Sequence, residues 1–241
     1  MDILILAAGF GTRLYPLTIN QPKALIEVNN KPILEHTIEK LLTLNPENIY
    51  LLSNNKFYTQ FQEWAKIYSN PKIKLFNNKV NLDKEKLGAV RDLKNTLNRI
   101  NTEELLVLAC DNLFDFNLEE LYNLTKETNR SSVALINIED KELIKKYSNV
   151  LLDDKNRITF FEEKPRIPRS NIVATSFYML TKQDLEKIKH HDFENYDNMG
   201  NLIEFLHKDS IVYGKIFTDL WMDIGSKEEL EKANEIFKTR N

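Results

Sequence analysis

Cysteine is nearly absent from this chain of 241 residues, with Cys110 as the single example. One thiol excludes an internal disulfide framework and fits a reducing compartment. An excess of positive charge is also missing, because 33 lysines and arginines stand against 36 aspartates and glutamates, a net charge of −3. The sequence therefore offers no general attraction for nucleic acid.

Long apolar runs and targeting signals are missing as well. No apolar segment is long enough to span a bilayer. Asp2 stands beside Met1 where a secretory signal would carry basic residues, so no such signal is visible. We therefore expect a cytoplasmic protein that binds neither membrane nor nucleic acid. The length is sufficient for one large domain or two small ones.

The histidines and hydroxyl residues give no sign of covalent catalysis. The four histidines, His36, His190, His191 and His207, do not follow a metal-ligand spacing such as H-E-x-x-H. His190 and His191 instead look like the polar end of a helix. No Ser-His-Asp or Cys-His arrangement stands out, so no protein nucleophile is indicated.

Apolar segments of strand length alternate with helical segments in the first half of the chain. Strands are predicted at 3–7, 49–53, 73–76 and 105–109, and helices at 32–44, 57–68, 89–100 and 118–128. The second half reads as strands at 133–138, 158–163, 172–180 and 211–217 with fewer helices, before a last helix at 227–237. This order predicts an α/β protein with a mostly parallel sheet, mixed in its second half, between two layers of helices.

The first predicted strand runs directly into a glycine loop. Four of the five residues at positions 7–11 are small: Ala7, Ala8, Gly9 and Gly11. Glycines allow a loop to turn its N–H groups toward an anion. Arg13 and Lys23 add two cations, so the segment predicts a polyphosphate site. It is neither a Walker A loop, which needs a Gly-Lys pair, nor a dinucleotide fingerprint, because Leu14 replaces the third glycine.

The apolar strand at 105–109 ends in a carboxylate. Ligands of parallel α/β sheets bind beyond the carboxyl ends of the strands, which places Asp111 at the same cleft as the glycine loop. A carboxylate beside a polyphosphate is a usual ligand of Mg²⁺. The alternative is that Asp111 caps a short helix near Phe116.

Four segments together resemble the nucleotidyltransferases that make nucleotide sugars. The stretch from Leu6 to Pro32 follows the pattern G-x-G-T-R-L-x-P-x-T and then P-K. Three further matches are Asp111-Asn112 in G-D-N, Glu162-Glu163-Lys164-Pro165 in E-E-K-P, and Trp221–Ser226 in W-x-D-x-G-[ST]. The resemblance covers nearly the whole chain. It implies a three-layer α/β/α Rossmann-like nucleotidyltransferase fold with a mostly parallel, mixed central sheet.

The resemblance implies a role for each matched residue of the nucleotide site. The triphosphate of a nucleoside triphosphate would be wrapped by Ala7, Ala8, Gly9, Gly11, Thr12 and Arg13. Arg13 and Lys23 would assist catalysis, and Asp111 and Asp223 would hold Mg²⁺. For Asp223 the alternative is a turn or N-cap before the last helix, although Ser226 is available for that cap.

The resemblance also implies an acceptor site in the second half. Glu163 would touch sugar hydroxyls, while Lys164 would meet the phosphate of a sugar 1-phosphate and act in catalysis. The alternative is a solvated charge run at a strand end. Asn171, in a segment that follows the relatives' pattern, is assigned to the acceptor as well.

Three positions depart from the family pattern. Gly88 stands where relatives that select thymidine or uridine triphosphates place a glutamine, so Gly88 would read the base through its backbone. Ser148 replaces a glycine that contacts the sugar, and with Asn149 it would narrow or repolarise the acceptor pocket. Cys110 replaces the glycine of G-D-N, which either crowds the nucleotide or is simply a small buried residue.

These features predict one nucleotidyltransferase domain over residues 1–241, with the NTP in its N-terminal half and the acceptor in its C-terminal half. No hexapeptide repeat is present, so no C-terminal β-helical domain is expected. The acceptor, a sugar 1-phosphate, would attack the α-phosphorus in line and release pyrophosphate, through positioning and electrostatics.

Two alternatives remain. One is a cytidylyltransferase that uses a non-sugar phosphate, and the other is a catalytically silent subunit that binds nucleotide sugars. Whether the protein is a sugar-1-phosphate nucleotidyltransferase or a cytidylyltransferase, its expected partners are an NTP and a phosphorylated small molecule. The base, the sugar and homo-oligomerisation are left open.

Overall fold

The computed structural model describes residues 1–193, 196 and 198–239. Its strands are β1 Asp2–Ala7, β2 Glu27–Val28, β3 Lys31–Pro32, β4 Ile49–Ser53, β5 Ile73–Asn77, β6 Glu104–Ala109, β7 Asn112–Phe114, β8 Ser132–Asn137, β9 Ser148–Leu152, β10 Ile158–Glu163, β11 Ile172–Thr181, β12 Tyr213–Phe217 and β13 Trp221–Asp223. Its α-helices are α1 Ile33–Leu42, α2 Tyr58–Tyr68, α3 Ala89–Leu97, α4 Leu118–Thr128, α5 Lys141–Ile144, α6 Lys182–His190, α7 Met199–Asp209 and α8 Lys227–Lys238. Within the described residues, no helix combines the length and apolar character that a membrane crossing requires.

The elements group into two compact units. The first unit comprises residues 2–86, 109–115 and 219–239, and the second comprises the described residues of 87–108 and 116–218. Three parallel strands, β1, β4 and β5, form the centre of the first unit, with Ile3 beside Ile49 and Ile49 beside Ile73. β1 is buried along its whole length, which explains why its sequence is a continuous apolar run and does not alternate.

Two short strands that are distant in sequence, β7 and β13, form an antiparallel ribbon in the first unit. Trp221 pairs with Phe114, and Asp223 pairs with Asn112. Leu113 from this ribbon belongs to a buried apolar cluster with residues from the segment after the glycine loop, from the start of α1, from the turn before α8 and from α8 itself: Leu14, Ile26, Val28, Ile33, Ile224 and Ala233. The sequence analysis did not predict either strand, because three residues are too few to show a periodic pattern.

β11 is the central strand of the second unit. It runs antiparallel to β6, β8 and β9, while β10 is antiparallel to β9 and β12 is parallel to β8. Phe116 packs against Phe177 and Phe217, with ring centroids 5.3 and 4.5 Å apart. The sheet of this unit is mixed, as the sequence predicted for the second half.

Most predicted elements are confirmed within one to three residues at each end, and α4 and β10 have the predicted bounds. α6 ends at His190, which confirms the polar helix end predicted there. α6 and α7 both lie between β11 and β12, where no helix bounds were predicted from the sequence. α7 carries Gly200 in its first turn and begins at a capping box of Asn198 and Asn201. Glycine and asparagine are more typical of turns, so the helical signal was weak.

The buried side chain of Asn149 fixes the segment that follows the E-E-K-P motif. Its Nδ2 donates to the main-chain oxygens of Ser170 and Ile172 at 3.0 and 2.9 Å, and its Oδ1 accepts from the N–H of Arg169 at 2.7 Å. The Oδ1 also accepts from the N–H of Ser170 at 3.3 Å. Asn149 was expected to shape an acceptor pocket with Ser148, but its donors and acceptors are engaged within the fold.

Replacement of Asn149 by alanine is expected to lower the free energy of unfolding by about 2–3 kcal/mol, because several partly buried main-chain groups lose their hydrogen-bond partner. The measurement is a urea-unfolding titration. Asn171→Ala is the matched control, since Asn171 is exposed in the same segment and its removal is expected to cost less than about 0.5 kcal/mol. Equal losses for the two variants would contradict the structural role of Asn149.

Candidate active site

The glycine loop of the first unit contains one glycine that the backbone requires. Gly11 has φ of +63°, and a Cβ there would lie 3.0 Å from Cγ2 of Thr18. The Thr18 hydroxyl donates to the Gly11 carbonyl at 2.6 Å and so closes the loop. Thr18 is the last residue of the quoted N-terminal pattern, and the sequence analysis gave it no role.

Gly9 differs from Gly11 because nothing in the protein requires a glycine there. A Cβ built at Gly9 meets no atom within 4 Å, and its φ lies outside the left-handed region. Phe10, which follows it, is buried and packs near Phe57 with ring centroids 6.3 Å apart. Gly9 is thus held on an anchored loop, and a side chain there would fill space that lies open beside the backbone. This is the arrangement expected of a loop that a ligand approaches closely.

Lys23 and Asp111 form a close ion pair in the first unit. Lys23 Nζ lies 2.5 Å from Asp111 Oδ2, and the two side chains are 10% and 23% exposed. Burial by itself would lower the pKa of Lys23, but the charges of Asp111 and Asp223 outweigh it, so the pKa is raised. Lys23 is therefore held in its charged form.

Asp223 is the second carboxylate of this site. The ribbon places it opposite Asn112, and the Ile224 N–H donates to the Asp111 carbonyl at 2.9 Å. Burial, and after it the negative charge of Asp111, raise the pKa of Asp223 to about 7. Two neighbouring carboxylates of this kind could bind a divalent cation, because each raises the negative potential at the other.

Neither aspartate is a helix cap. Asn117 caps α4 by accepting from the Glu119 N–H, and Ser226 caps α8 by accepting from the Glu229 N–H. The expectation that Ser226 fills the cap role is confirmed. Among the described residues, no three His, Cys, Asp or Glu side chains are grouped to hold a metal. A cation at Asp111 and Asp223 would therefore take its other ligands from phosphate or water, as Mg²⁺ usually does.

Arg13 lies beside Gly225, a residue that the sequence analysis quoted without a role. A Cβ at Gly225 would lie 3.2 Å from Nη1 and 3.3 Å from Cζ of Arg13. The Gly225 N–H donates to Glu229 Oε2 at 2.7 Å. The turn before α8 thus leaves room for the guanidinium, and a side chain at this position would displace it. The glycine of the W-x-D-x-G pattern was the sequence feature from which this close approach could have been predicted.

Three of the four expected acceptor residues, all in the second unit, lie together. The Ser148 hydroxyl donates to Glu163 Oε2, and Lys164 Nζ lies 3.6 Å from Glu163 Oε1. The Glu163 side chain is 13% exposed, whereas that of Lys164 is 52% exposed. Glu163 is therefore not part of a solvated charge run. Gly200 of α7 packs so closely that a Cβ there would collide with Glu163 Oε2 and the Ser148 hydroxyl.

Two further residues expected in the site, Gly88 and Asn171, lie in the second unit, as does Ser176, which was not predicted. Gly88 precedes α3 with φ of +89°, a conformation that favours glycine. Asn171 is exposed just before β11, and its carbonyl accepts from the Ile138 N–H. The Ser176 hydroxyl is buried without a hydrogen-bond partner among the described residues. It lies on β11 between Ala174, which pairs with Ser148, and Tyr178, and it was not predicted.

The chain belongs to the nucleotidyl transferase family, whose model matches residues 3–240. The bifunctional protein GlmU of Methanocaldococcus jannaschii is 31% identical over 236 residues, covering 97% of this chain and 53% of that protein. The UTP–glucose-1-phosphate uridylyltransferase AglF of Haloferax volcanii is 28% identical over 239 residues, covering 98% of this chain and 96% of that protein. The chain thus spans about half the length of the GlmU relative.

A solved structure shares the fold over the whole chain. UDP-glucose pyrophosphorylase in complex with UDP-glucose superposes with a TM-score of 0.85 at 19% identity, covering 100% of this chain and 99% of that one. This likeness confirms the predicted α/β nucleotidyltransferase fold.

The metal-free protein is expected to lose stability as the pH rises from about 4 to above 7. Asp223 has its ordinary pKa of 3.8 when unfolded and a pKa of about 7 when folded. The folded state then binds more protons in this window, so the contribution of Asp223 is fully present below 3.8 and is lost above 7. In chelator at pH 8, Asp223→Asn should raise the free energy of unfolding by on the order of 4 kcal/mol.

The measurement is urea unfolding between pH 4 and pH 8.5 with EDTA present. Asp219→Asn is the control, because Asp219 is exposed in the same segment and its substitution should leave the pH profile unchanged. A parallel profile for the parent and Asp223→Asn would show that Asp223 is not destabilised by its surroundings.

Proposed function

We propose that this protein is a Mg²⁺-dependent sugar-1-phosphate nucleotidyltransferase, which joins an NTP to a sugar 1-phosphate and releases pyrophosphate. Membership of the family supports the transfer reaction. The activities named for the relatives support the acceptor, since AglF is a glucose-1-phosphate uridylyltransferase. The observation that carries the proposal is the glycine loop with an unobstructed Gly9, in the same unit as the Lys23–Asp111–Asp223 cluster.

The nucleotide is proposed to bind through the first unit. The N–H groups from Ala7 to Thr12 and the guanidinium of Arg13 face the triphosphate, and Lys23 stabilises charge on the leaving pyrophosphate. Asp111 and Asp223 would hold Mg²⁺, which when bound neutralises charge on phosphate oxygens. Gly88, in the second unit, is proposed to contact the base through its backbone.

The acceptor is proposed to bind through the second unit. Glu163 accepts a hydrogen bond from a sugar hydroxyl through Oε1, because Oε2 is engaged by Ser148. Lys164 offsets the charge of the acceptor phosphate, and Ser148 and Asn171 complete the contacts. One phosphate oxygen of the acceptor forms a bond to the α-phosphorus. The bond from the α-phosphorus to the oxygen bridging the β-phosphorus breaks, and its electron pair leaves with pyrophosphate.

This assignment keeps the division expected from the sequence, with the nucleotide in the N-terminal half and the acceptor in the C-terminal half of one nucleotidyltransferase domain. A cytoplasmic location is part of the proposal and is supported by the single cysteine. No observation favours a non-sugar acceptor or a silent subunit. The silent subunit would have little use for a buried lysine and two crowded carboxylates, since such groups are costly to keep.

Pyrophosphate release from a panel of NTPs and phosphorylated acceptors tests the function directly. Arg13→Ala is expected to lower turnover by about 10²-fold or more at saturating substrate, because a preorganised charge is lost from the transition state. Lys66→Ala removes an exposed cation of α2 and should leave turnover unchanged. A near-normal rate for Arg13→Ala would place the chemistry elsewhere, and activity only with non-sugar phosphates would overturn the sugar acceptor.

Substitutions in the two units should have different kinetic signatures. Gly9→Val adds a side chain in open space without backbone strain, so it should block the approach of the triphosphate and weaken NTP binding first. Glu163→Ala should raise the KM for the acceptor and change NTP binding little, whereas Lys164→Ala should also lower turnover.

Calorimetric titration of the NTP and acceptor kinetics separate these effects. Gly9→Ala is the graded control, with a smaller expected loss than Gly9→Val. Loss of NTP binding in Glu163→Ala with an unchanged acceptor KM would show that the acceptor assignment is wrong.

A further inference from the structure

The side chain of Asn112 lies between Trp221 and Asp111. The Trp221 Nε1–H donates to Asn112 Oδ1 at 2.7 Å, and Asn112 Nδ2 donates to Asp111 Oδ1 at 2.9 Å. Asn112 is 1% exposed, so its amide must be satisfied by the protein around it. These two hydrogen bonds form a bridge from the indole of β13 to the carboxylate that precedes β7.

The direction of this bridge is set by the chemistry of its three groups. An indole N–H can only donate, so the Asn112 atom that faces Trp221 must be the carbonyl oxygen. The amide nitrogen is then turned toward Asp111, whose carboxylate oxygen accepts its hydrogen bond. The Asn112 amide has nearly the same shape when its oxygen and nitrogen exchange places. The hydrogen bond from Trp221 therefore selects one of these two orientations.

The bridge holds one oxygen of Asp111, and Lys23 holds the other. Lys23 Nζ lies 2.5 Å from Oδ2, so the carboxylate is fixed at both ends. Each carboxylate oxygen offers two lone-pair positions, which leaves positions on both oxygens for a cation. Asp223 lies directly opposite Asn112 in the register of the ribbon. Asn112, which orients the Asp111 carboxylate, therefore also pairs with β13, the strand that carries Asp223.

We propose that Asn112 is a positioning residue of the cation site, and that Trp221 holds it in the orientation that fixes the Asp111 carboxylate for a divalent cation. This inference rests on the proposed function in so far as Asp111 binds a cation. Groups that hydrogen-bond to a metal ligand commonly change metal affinity by about 10–100-fold when they are removed.

The test measures binding of Mn²⁺ alone to the full chain, through the electron paramagnetic resonance signal of free Mn²⁺. Asn112→Ala is expected to raise the Kd by about tenfold or more. Trp221→Phe keeps an aromatic ring at this position but removes the N–H donor, and it is expected to raise the Kd by roughly three- to tenfold. Both variants are checked for folding by circular dichroism, and their Kd values refer to the folded protein.

Thr37→Val is the matched control. The Thr37 hydroxyl donates to the main-chain oxygen of Asn112 at 3.1 Å, so this variant removes a hydrogen bond to the same residue without touching its amide. Its Kd should stay close to that of the parent. An equal rise for Thr37→Val would attribute the effect to the backbone of β7 and overturn the proposal.

The remaining outcomes also decide the question. Unchanged Mn²⁺ affinity in Trp221→Phe and Asn112→Ala would make the bridge purely structural and overturn the proposal. If Asn112→Ala fails to fold, Trp221→Phe decides alone. A parent chain that binds no Mn²⁺ would overturn the metal assignment of the proposed function and this inference with it, which differs from a parent that binds while the variants are unchanged.

Discussion

The ion pair between Lys23 and Asp111 is the interaction on which the first unit's site depends. Two carboxylates are brought together there by a ribbon of three-residue strands, and one of them has its pKa raised to about 7. Without a positive charge beside them, the two carboxylates would repel each other. Removal of one partner of a buried ion pair typically costs about 3–5 kcal/mol. Lys23 supplies that charge from inside the protein. The apolar cluster that joins Leu14, Ile33 and Ile224 holds the surrounding segments in place despite this strain on the site.

The same ion pair has a consequence for ligand binding in the proposed function. A triphosphate that recruits Lys23 must compete with Asp111, to which the ammonium is bound at 2.5 Å. A divalent cation at Asp111 and Asp223 would relieve this competition, because it satisfies the carboxylates and releases Lys23. Metal and nucleotide binding are then positively coupled, and thermodynamic linkage requires each to strengthen the other.

Much of this arrangement could be predicted from the sequence. Continuous apolar strands such as β1 and regular amphipathic helices such as α4 have clear periodic patterns, and their positions are confirmed. The resemblance to nucleotidyltransferases correctly predicted the fold and the family. The roles of Arg13, Asp223 and Glu163 in catalysis and binding stay predictions.

What the sequence could not predict depends on contacts between distant segments. The β7–β13 ribbon joins residues more than a hundred positions apart, and neither strand is long enough to show a pattern. α7 was missed because Gly200 lowers helix propensity by about 1 kcal/mol relative to alanine. That glycine is explained by tertiary packing, since a side chain there would collide with Glu163 and Ser148. At Gly200 the low helix propensity of glycine disfavours the helix, but tertiary packing requires glycine there, and packing prevails.

The two glycines of the loop, Gly9 and Gly11, occupy similar places in the sequence motif but have different structural roles. Gly9 and Gly11 are equivalent in the sequence pattern, but only Gly11 has a backbone conformation that requires glycine. A substitution at Gly11 therefore confounds loss of loop structure with loss of binding, whereas one at Gly9 alters the space that a ligand would use. The two positions differ in what they do for the loop: Gly11, with the Thr18 hydroxyl, forms the turn, whereas Gly9 leaves open the space through which, in the proposed function, a phosphate would reach the main-chain N–H groups.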